Sequence, residues 1–237
     1  MTESLTYIEF KSLLGESKRK SDPIFCRFIL RPLSFPVGWL FYKSGMKANM
    51  VSFLSILITL IASFMIVSAE KGELIFASLL MLFVALTDCI DGNIARARKE
   101  TGPSGEWMDA LSGYSVYVFI PVSLGLHLNF FYSSDFFSGF WILVSSVAVI
   151  SNLYMRLIYQ KYINAGLDVN SGGAIKATGS LFSKLSGEVG LVGWMMPALC
   201  AASLLELLPI YLLFYGCFYL LSALAVFYSL ISRVSPF

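Results

Sequence analysis

Residues 74–96 read Leu74-Ile-Phe-Ala-Ser-Leu-Leu-Met-Leu-Phe-Val-Ala-Leu-Thr87-Asp88-Cys-Ile-Asp91-Gly92-Asn-Ile-Ala95-Arg96. An uncharged apolar run enters two aspartates with no proline or glycine to stop it. One helix therefore carries both a membrane-compatible stretch and a pair of acids. Ionised side chains at such a helix end cost on the order of a few kcal/mol each, so they mark function rather than filling. On a helical wheel Asp88 and Asp91 lie about 60° apart, with Gly92 and Ala95 beside them.

Outward from this stretch the chain is just as apolar. Of its 237 residues 57% are hydrophobic and 14% charged, with 20 Phe and 12 Tyr. A soluble domain carries roughly 25% charged residues. The composition excludes a disordered chain, a secreted disulfide scaffold and a nucleic-acid-binding domain, so no nucleic-acid partner is expected. A bilayer core takes about 20 apolar residues per helix. Runs suited to this cover residues 50–69, 74–87 with a continuation into the acids, 110–126, 137–155, 189–205 and 208–231. The last two are joined through Glu206 and Leu207 in what reads as a tight hairpin.

The expected fold is all-α and integral to the membrane, with six transmembrane helices. Residues 1–48 form an N-terminal arm and residues 49–237 the membrane domain. Leu5, Ile8, Leu13 and Leu14 recur at roughly helical spacing, and Pro23, Pro32 and Pro36 interrupt a second aromatic-rich stretch. The arm reads as one or two interfacial helices along the headgroups. Sixteen of the 17 Lys and Arg residues fall on one face of this layout, and Lys71 alone on the other. By the positive-inside bias both termini and the acids are cytoplasmic, in a multi-pass protein of the cell membrane. Cys26, Cys89, Cys200 and Cys217 show no metal or redox spacing, and His127, the single histidine, lies at the far end of the third span.

After eight intervening residues beyond Arg96 comes Gly105, and after three more comes Asp109. Asp109 sits near the start of the third span and can approach Asp88 and Asp91 across the 97–108 loop. Converging carboxylates with no His or Cys suit a hard divalent ion, Mg²⁺ or Mn²⁺, whose shell is completed by phosphate oxygens and water. Gly92, Ala95 and Gly105 let a bulky ligand approach the backbone, and Arg96 offers donors to a diphosphate. A competing reading makes the acids helix caps balancing Arg96, Arg98 and Lys99. Capping acids, however, do not require small residues at these spacings. A transporter with an aspartate-lined ion path would need polar residues near the bilayer midplane, and the central stretches are nearly free of charge.

The run resembles the D-x2-D-G-x2-A-R-x8-G-x3-D-x3-D signature of the CDP-alcohol phosphotransferase (CDP-alcohol phosphatidyltransferase) family. Asp88, Asp91, Gly92, Ala95, Arg96, Gly105 and Asp109 match it in identity and spacing. Lys47-Ala-Asn49-Met-Val51-Ser52 is similar to the family's Pro-Asn-x-Ile/Val-Thr start of the first span. Asp22-Pro23, Arg27 and Arg31-Pro32 resemble the preceding stretch of members that transfer to polyol phosphates. The resemblance implies a Mg²⁺- or Mn²⁺-dependent membrane transferase of phospholipid biosynthesis, expected as a homodimer. An acceptor alcohol attacks the β-phosphorus of a CDP-linked donor, such as the lipid CDP-diacylglycerol, and CMP leaves. Carried over, Asp88, Asp91 and Asp109 hold metal and diphosphate, with Asp109 also catalytic. Gly92, Ala95 and Gly105, with Asn49, line the CDP side, and Arg96 supports the site electrostatically.

The signature's last aspartate falls on Gly113. That residue is the family's proposed base and a ligand of a second metal, and a glycine can be neither. Three explanations stand side by side. A natural member uses another base, with Glu106 or Glu188 as candidates, or takes an acceptor already anionic. A member without turnover keeps the CDP donor bound. Or the chain is an engineered variant. Arg156 and Lys161, with Lys176 and Lys184, are candidates for an anionic acceptor pocket, against the plainer reading of positive-inside flanks.

Overall fold

The computed structural model describes residues 5–132, 139–164, 185 and 187–234. Among these residues every regular element is helical. The arm holds three helices: α1 (Tyr7–Ser12), α2 (Glu16–Ser21) and α3 (Arg31–Lys43). Then come α4 (Ala48–Ser68), α5 (Lys71–Arg98), α6 (Pro103–Tyr132), α7 (Phe140–Asn164), α8 (Met196–Leu204) and α9 (Leu208–Val234). Six stretches are long and apolar enough to cross a membrane: α4, α5, α6, residues Phe140–Ile158 of α7, Gly187–Leu204 and Leu208–Ile231.

α5 runs unbroken from the apolar stretch through both aspartates to Arg98, as its sequence indicates. Lys99 ends it in the left-handed conformation, φ 57°, and its N–H closes onto the last carbonyls. α6 departs from expectation. It starts at Pro103, so the connection is only residues 99–102, and Gly105 lies on the helix rather than in a 97–108 loop. Pro103 suits a first helical turn, because the N–H it lacks has no intrahelical acceptor there. The next turn is uncovered helix rather than loop, despite its Gly and Ser.

The arm folds into three helices rather than one or two. A capping box starts α1, with Glu9 accepting from the Thr6 N–H at 2.7 Å. Cys26–Leu30 is a π-helical turn that leads directly into α3, which continues through Pro36. Pro32 and Pro36 each remove an i→i−4 donor; the wider turn immediately before Pro32 eases its entry, and α3 continues past Pro36 as regular helix. Phe10 of the arm is buried with Ala48, Val51, Ile90 and Ile94. Arg98 donates to the carbonyls of Met46 at 2.9 Å and Tyr42 at 3.0 Å, where α3 and its following turn need donors. The arm is thus packed onto the acid-bearing half of α5. Ile8, Phe28, Leu33 and Leu40 remain exposed on it.

The central core lies among α4, α5, α6, α8 and α9, with Met81, Val84, Ala85, Ile120, Leu124 and Met196 fully buried. The fifth span is irregular: Leu191–Met195 is π-helical, and Gly193 has non-helical torsions, φ −89° and ψ −128°. Backbone freed inside a membrane must find partners. The Leu191 N–H donates to the Tyr117 hydroxyl at 3.0 Å, and the Tyr211 hydroxyl donates to the Met195 carbonyl at 3.2 Å. At the opposite end of the molecule, Lys71 pairs with Glu206 in the α8–α9 hairpin. That contact, on the face where only one basic residue was expected, holds the Glu206 carboxyl below its usual range.

A Cβ on Gly193 would stand 2.1 Å from the Glu188 carbonyl oxygen. Such a clash is backbone on backbone and cannot be relieved by a side-chain turn. Gly193→Ala is expected to cost about 1–3 kcal/mol, the usual scale of overpacking, read as a lower melting temperature in detergent.

Candidate functional site

α4 fixes the acids from the side. Ser52, one turn into the first span and buried, donates to Asp91 Oδ2 at 2.7 Å. One turn further, Ser55 and Ser112 share a hydrogen bond at 3.1 Å. The first bond ties α4 to α5 and the second ties α4 to α6, so a single helix sets the separation of the two acid-bearing helices. Asp91 is buried, Asp88 half-buried and Asp109 exposed. Asp88 and Asp91 near the end of α5 and Asp109 near the start of α6 lie at the same end of the bundle, on either side of the 99–102 connection. Among the described residues, no group of three or more His, Cys, Asp or Glu stands close enough to hold a metal by itself.

Gly92 and Ala95 lie on α5, and Gly105 lies in the first turn of α6. Gly92 is covered by Arg96, whose Nη2 would be 3.4 Å from a Cβ placed there. The Arg96 guanidinium donates to Asn93 Oδ1 at 2.7 Å, and Asn93 donates to Ser34 of the arm at 2.9 Å. Arg96 is thus folded back along its own helix and held through Asn93 by α3. Gly105 packs 3.4 Å, measured from a built Cβ, from the Glu100 carbonyl in the short connection. Asn49 is exposed at the start of α4, and its amide reaches Ser104 at 3.5 Å across to α6. Ala95 is half-buried on α5, one turn beyond Asp91.

Gly113 lies one turn after Asp109 on α6, and a Cβ built on it meets no atom within 4 Å. The place of the absent carboxylate is open space. Glu106 is exposed and seven residues back, about 10.5 Å along the helix axis from position 113. Glu188 is engaged elsewhere: its carboxylate oxygens accept from the Ile24 N–H at 3.0 and 3.1 Å.

Arg156 approaches the same stretch of α6. Its guanidinium lies 4.4 Å from the Tyr117 ring centroid and 5.5 Å from that of Tyr114, and its Nε donates to Asn152 at 2.9 Å. The two rings and the amide orient it beside the turn that follows Gly113. Lys161 is exposed in the last turn of α7 and is not brought to this place by any contact in the structure. Lys176 and Lys184 lie outside the described residues.

Sequence reasoning passed over several groups. Ser55, Ser112 and Asn93 look like ordinary helix filler, although a hydroxyl at positions 52, 55 and 59 is a helical-period signal. Asp22 and Arg31 form a buried ion pair, Arg31 Nε donating to Asp22 Oδ2 at 2.7 Å. Burial alone would lower the Arg31 pKa, and the hydrogen bonds to Asp22 together with neighbouring negative charge raise it above its ordinary value. Cys26 and Cys89, 63 residues apart, bring their sulfurs to 3.5 Å.

A helical bundle with an acidic cluster at one end of its membrane spans defines a membrane protein with a polar site at a bilayer face. The family model for CDP-alcohol phosphatidyltransferases matches residues 46–205, and the chain belongs to that family. No curated protein matches the chain significantly.

The Ser52–Asp91 bond is buried, so its loss leaves a buried carboxyl oxygen short of a donor. Ser52→Ala is expected to destabilise the protein by about 1–3 kcal/mol. Thermal unfolding in detergent, compared with the conservative Ser52→Thr variant, checks this; the threonine should restore most of the loss.

Proposed function

We propose that this chain transfers a substituted phosphate from a CDP-linked donor, CDP-diacylglycerol being the best candidate, to the hydroxyl of an acceptor alcohol. The acceptor oxygen attacks the β-phosphorus while its proton passes to water, the P–O bond to the CMP phosphate breaks, and CMP leaves with that bond's electron pair. The observation carrying this reading is the joint placement of Asp88, Asp91 and Asp109 at the adjoining ends of α5 and α6, within a family whose members transfer from CDP-alcohols.

The family generally uses a divalent metal. The residues present fit one by donor chemistry: hard carboxylate oxygens gathered at one end of the bundle, their mutual repulsion calling for a cation. Asp88, Asp91 and Asp109 would hold Mg²⁺ or Mn²⁺ together with substrate phosphate oxygens. The ion supplies charge neutralisation at the diphosphate and polarisation of its phosphorus. The chain's own residues do the rest. Ser52 keeps Asp91 oriented, Ala95 and Gly105 admit the nucleotide beside the backbone with Asn49 at the rim, and Arg96, lying over Gly92, adds positive charge there. The arm and both termini belong on the cytoplasmic face by the positive-inside bias, with the arm's exposed apolar residues at the headgroups. A homodimer is the assembly proposed; α7 offers an exposed stripe at Leu143, Ile150 and Leu157.

Arg156 supports an anionic acceptor, such as a phosphorylated polyol, because its guanidinium is pre-oriented beside the open position 113. Arg156→Met is expected to raise KM for a phosphorylated acceptor about tenfold or more and to leave KM for the CDP donor unchanged.

A second reading rests on Gly113: a member that binds the CDP donor without efficient turnover. CMP release from CDP-diacylglycerol with a panel of acceptors and Mg²⁺ or Mn²⁺ decides between the two. Absence of release, with metal-dependent CMP binding retained, favours the binder. Because position 113 is open, Gly113→Asp fits sterically. It is expected to raise turnover, by up to ~10²–10⁴-fold where a general base is missing, or to leave it unchanged. A sharp loss would show the glycine to be part of an altered mechanism.

A further inference from the structure

Tyr117 of α6 is engaged by three elements far from it in the chain. Its hydroxyl accepts from the Leu191 N–H at 3.0 Å, at the start of the π-helical turn that interrupts the fifth span. The Arg156 guanidinium of α7 lies over its ring, 4.4 Å from the centroid. The Tyr219 ring of α9 meets the same ring in a T-shaped contact, 6.0 Å between centroids. With only 8% of its surface exposed, Tyr117 is packed in this position. Its hydroxyl serves the broken helix, and its ring serves the arginine.

Arg156 is held without being neutralised. Its Nε donates to Asn152 Oδ1 at 2.9 Å, and no carboxylate among the described residues pairs with it. Asn152 is 1% exposed, and its Nδ2 has no partner among the described residues. A buried amide left half-satisfied is a cost, set here against the bond it makes to the arginine. The two rings near the guanidinium, Tyr114 and Tyr117, follow Gly113 by one residue and by one turn, and the place of a side chain at Gly113 is open. An acidic partner would also orient an arginine, but it would cancel its charge and repel an incoming anion. An aromatic face orients the guanidinium and leaves its charge and outer N–H groups free for that anion.

We propose that Tyr117 is a positioning residue for the acceptor: its ring holds the Arg156 guanidinium beside the turn that follows Gly113, ready for the phosphate of a phosphorylated polyol, and its hydroxyl ties that ring to the break in the fifth span. The proposal rests on the transferase reading above, with its anionic acceptor, and deepens it. Recognition of the acceptor is thereby linked to a span that carries none of the signature's residues.

The test uses the full chain in nanodiscs with Mg²⁺, and binding of three probes by calorimetry: CDP, sn-glycerol 3-phosphate and myo-inositol 1-phosphate. Tyr117→Phe keeps the ring and loses the hydroxyl. The same phenylalanine carrying three ring fluorines has nearly the same shape and a weakened π face. Tyr117→Phe is expected to bind the phosphorylated polyol that wild type prefers within about threefold of wild type, and the fluorinated ring to weaken it by about a further threefold to tenfold. CDP binding should be the same in both. In an Arg156→Met background the difference between the two rings should vanish. Both variants lack the hydroxyl, so both should melt below wild type and at the same temperature, which leaves the affinity difference to the ring. Equal polyol binding by the two ring variants overturns the proposal, as does a difference that survives Arg156→Met or appears equally in CDP binding. A wild type that binds CDP but neither polyol phosphate overturns the anionic acceptor and Tyr117's role with it. A wild type that binds none of the three overturns the transferase reading itself.

Discussion

The hydrogen bond from Ser52 to Asp91 sets the terms for the rest of the molecule. A carboxylate with almost no exposed surface is tolerable only when donors come to it, and here the donor comes from another helix. α4 therefore cannot slide or rotate against α5 without leaving a buried acid short of its donor. Its next hydroxyl, Ser55, meets Ser112 and places α6 in the same register. Apolar packing in a bilayer is permissive about such offsets, because lipid tails are as apolar as the side chains they replace. Two polar contacts supply the specificity that burial alone lacks, and the register of Asp109's helix against the helix of Asp88 follows from them.

The arm continues this logic outside the bilayer. Phe10 fills a gap beside Ile90 and Ile94, Asn93 reaches Ser34, and Arg31 bridges Asp22 to the backbone of Cys89. Each contact lands on the last three turns of α5, the part that has left the apolar stretch behind. A helix end carrying two aspartates and two arginines would be frayed in water; packed under the arm, it stays helical to Arg98. The arm is as much a brace for the acidic turn as a layer at the membrane surface.

The spans were legible because hydropathy is additive along the chain, and the acids because charge is rare in it. α5 crossing from apolar to acidic sequence could be read directly from the lack of a breaker. The start of α6 could not, since Gly102, Pro103 and Gly105 signal a turn locally, whereas a proline in a first turn is also a helix start. The arm's prolines misled in the same way: a π-helical turn lets the helix pass Pro32, and nothing in the residue types announces it. Contacts between distant segments were invisible for a different reason. Cys26 with Cys89, Ile24 with Glu188 and Lys71 with Glu206 involve residues with no mutual period, and only the packing of whole helices brings them together.

The Ile24–Glu188 contact also bears on how the molecule is made. Its partners are 164 residues apart, so the chain emerging from the ribosome holds Ile24 long before Glu188 exists. The arm can settle on α5 once that helix is synthesised, but the Ile24 N–H lacks this acceptor until the chain reaches the start of the fifth span. Four spans have been synthesised by then. The arm's tie to Glu188 is thus made late, and its closure reports that the bundle has assembled through its fourth span.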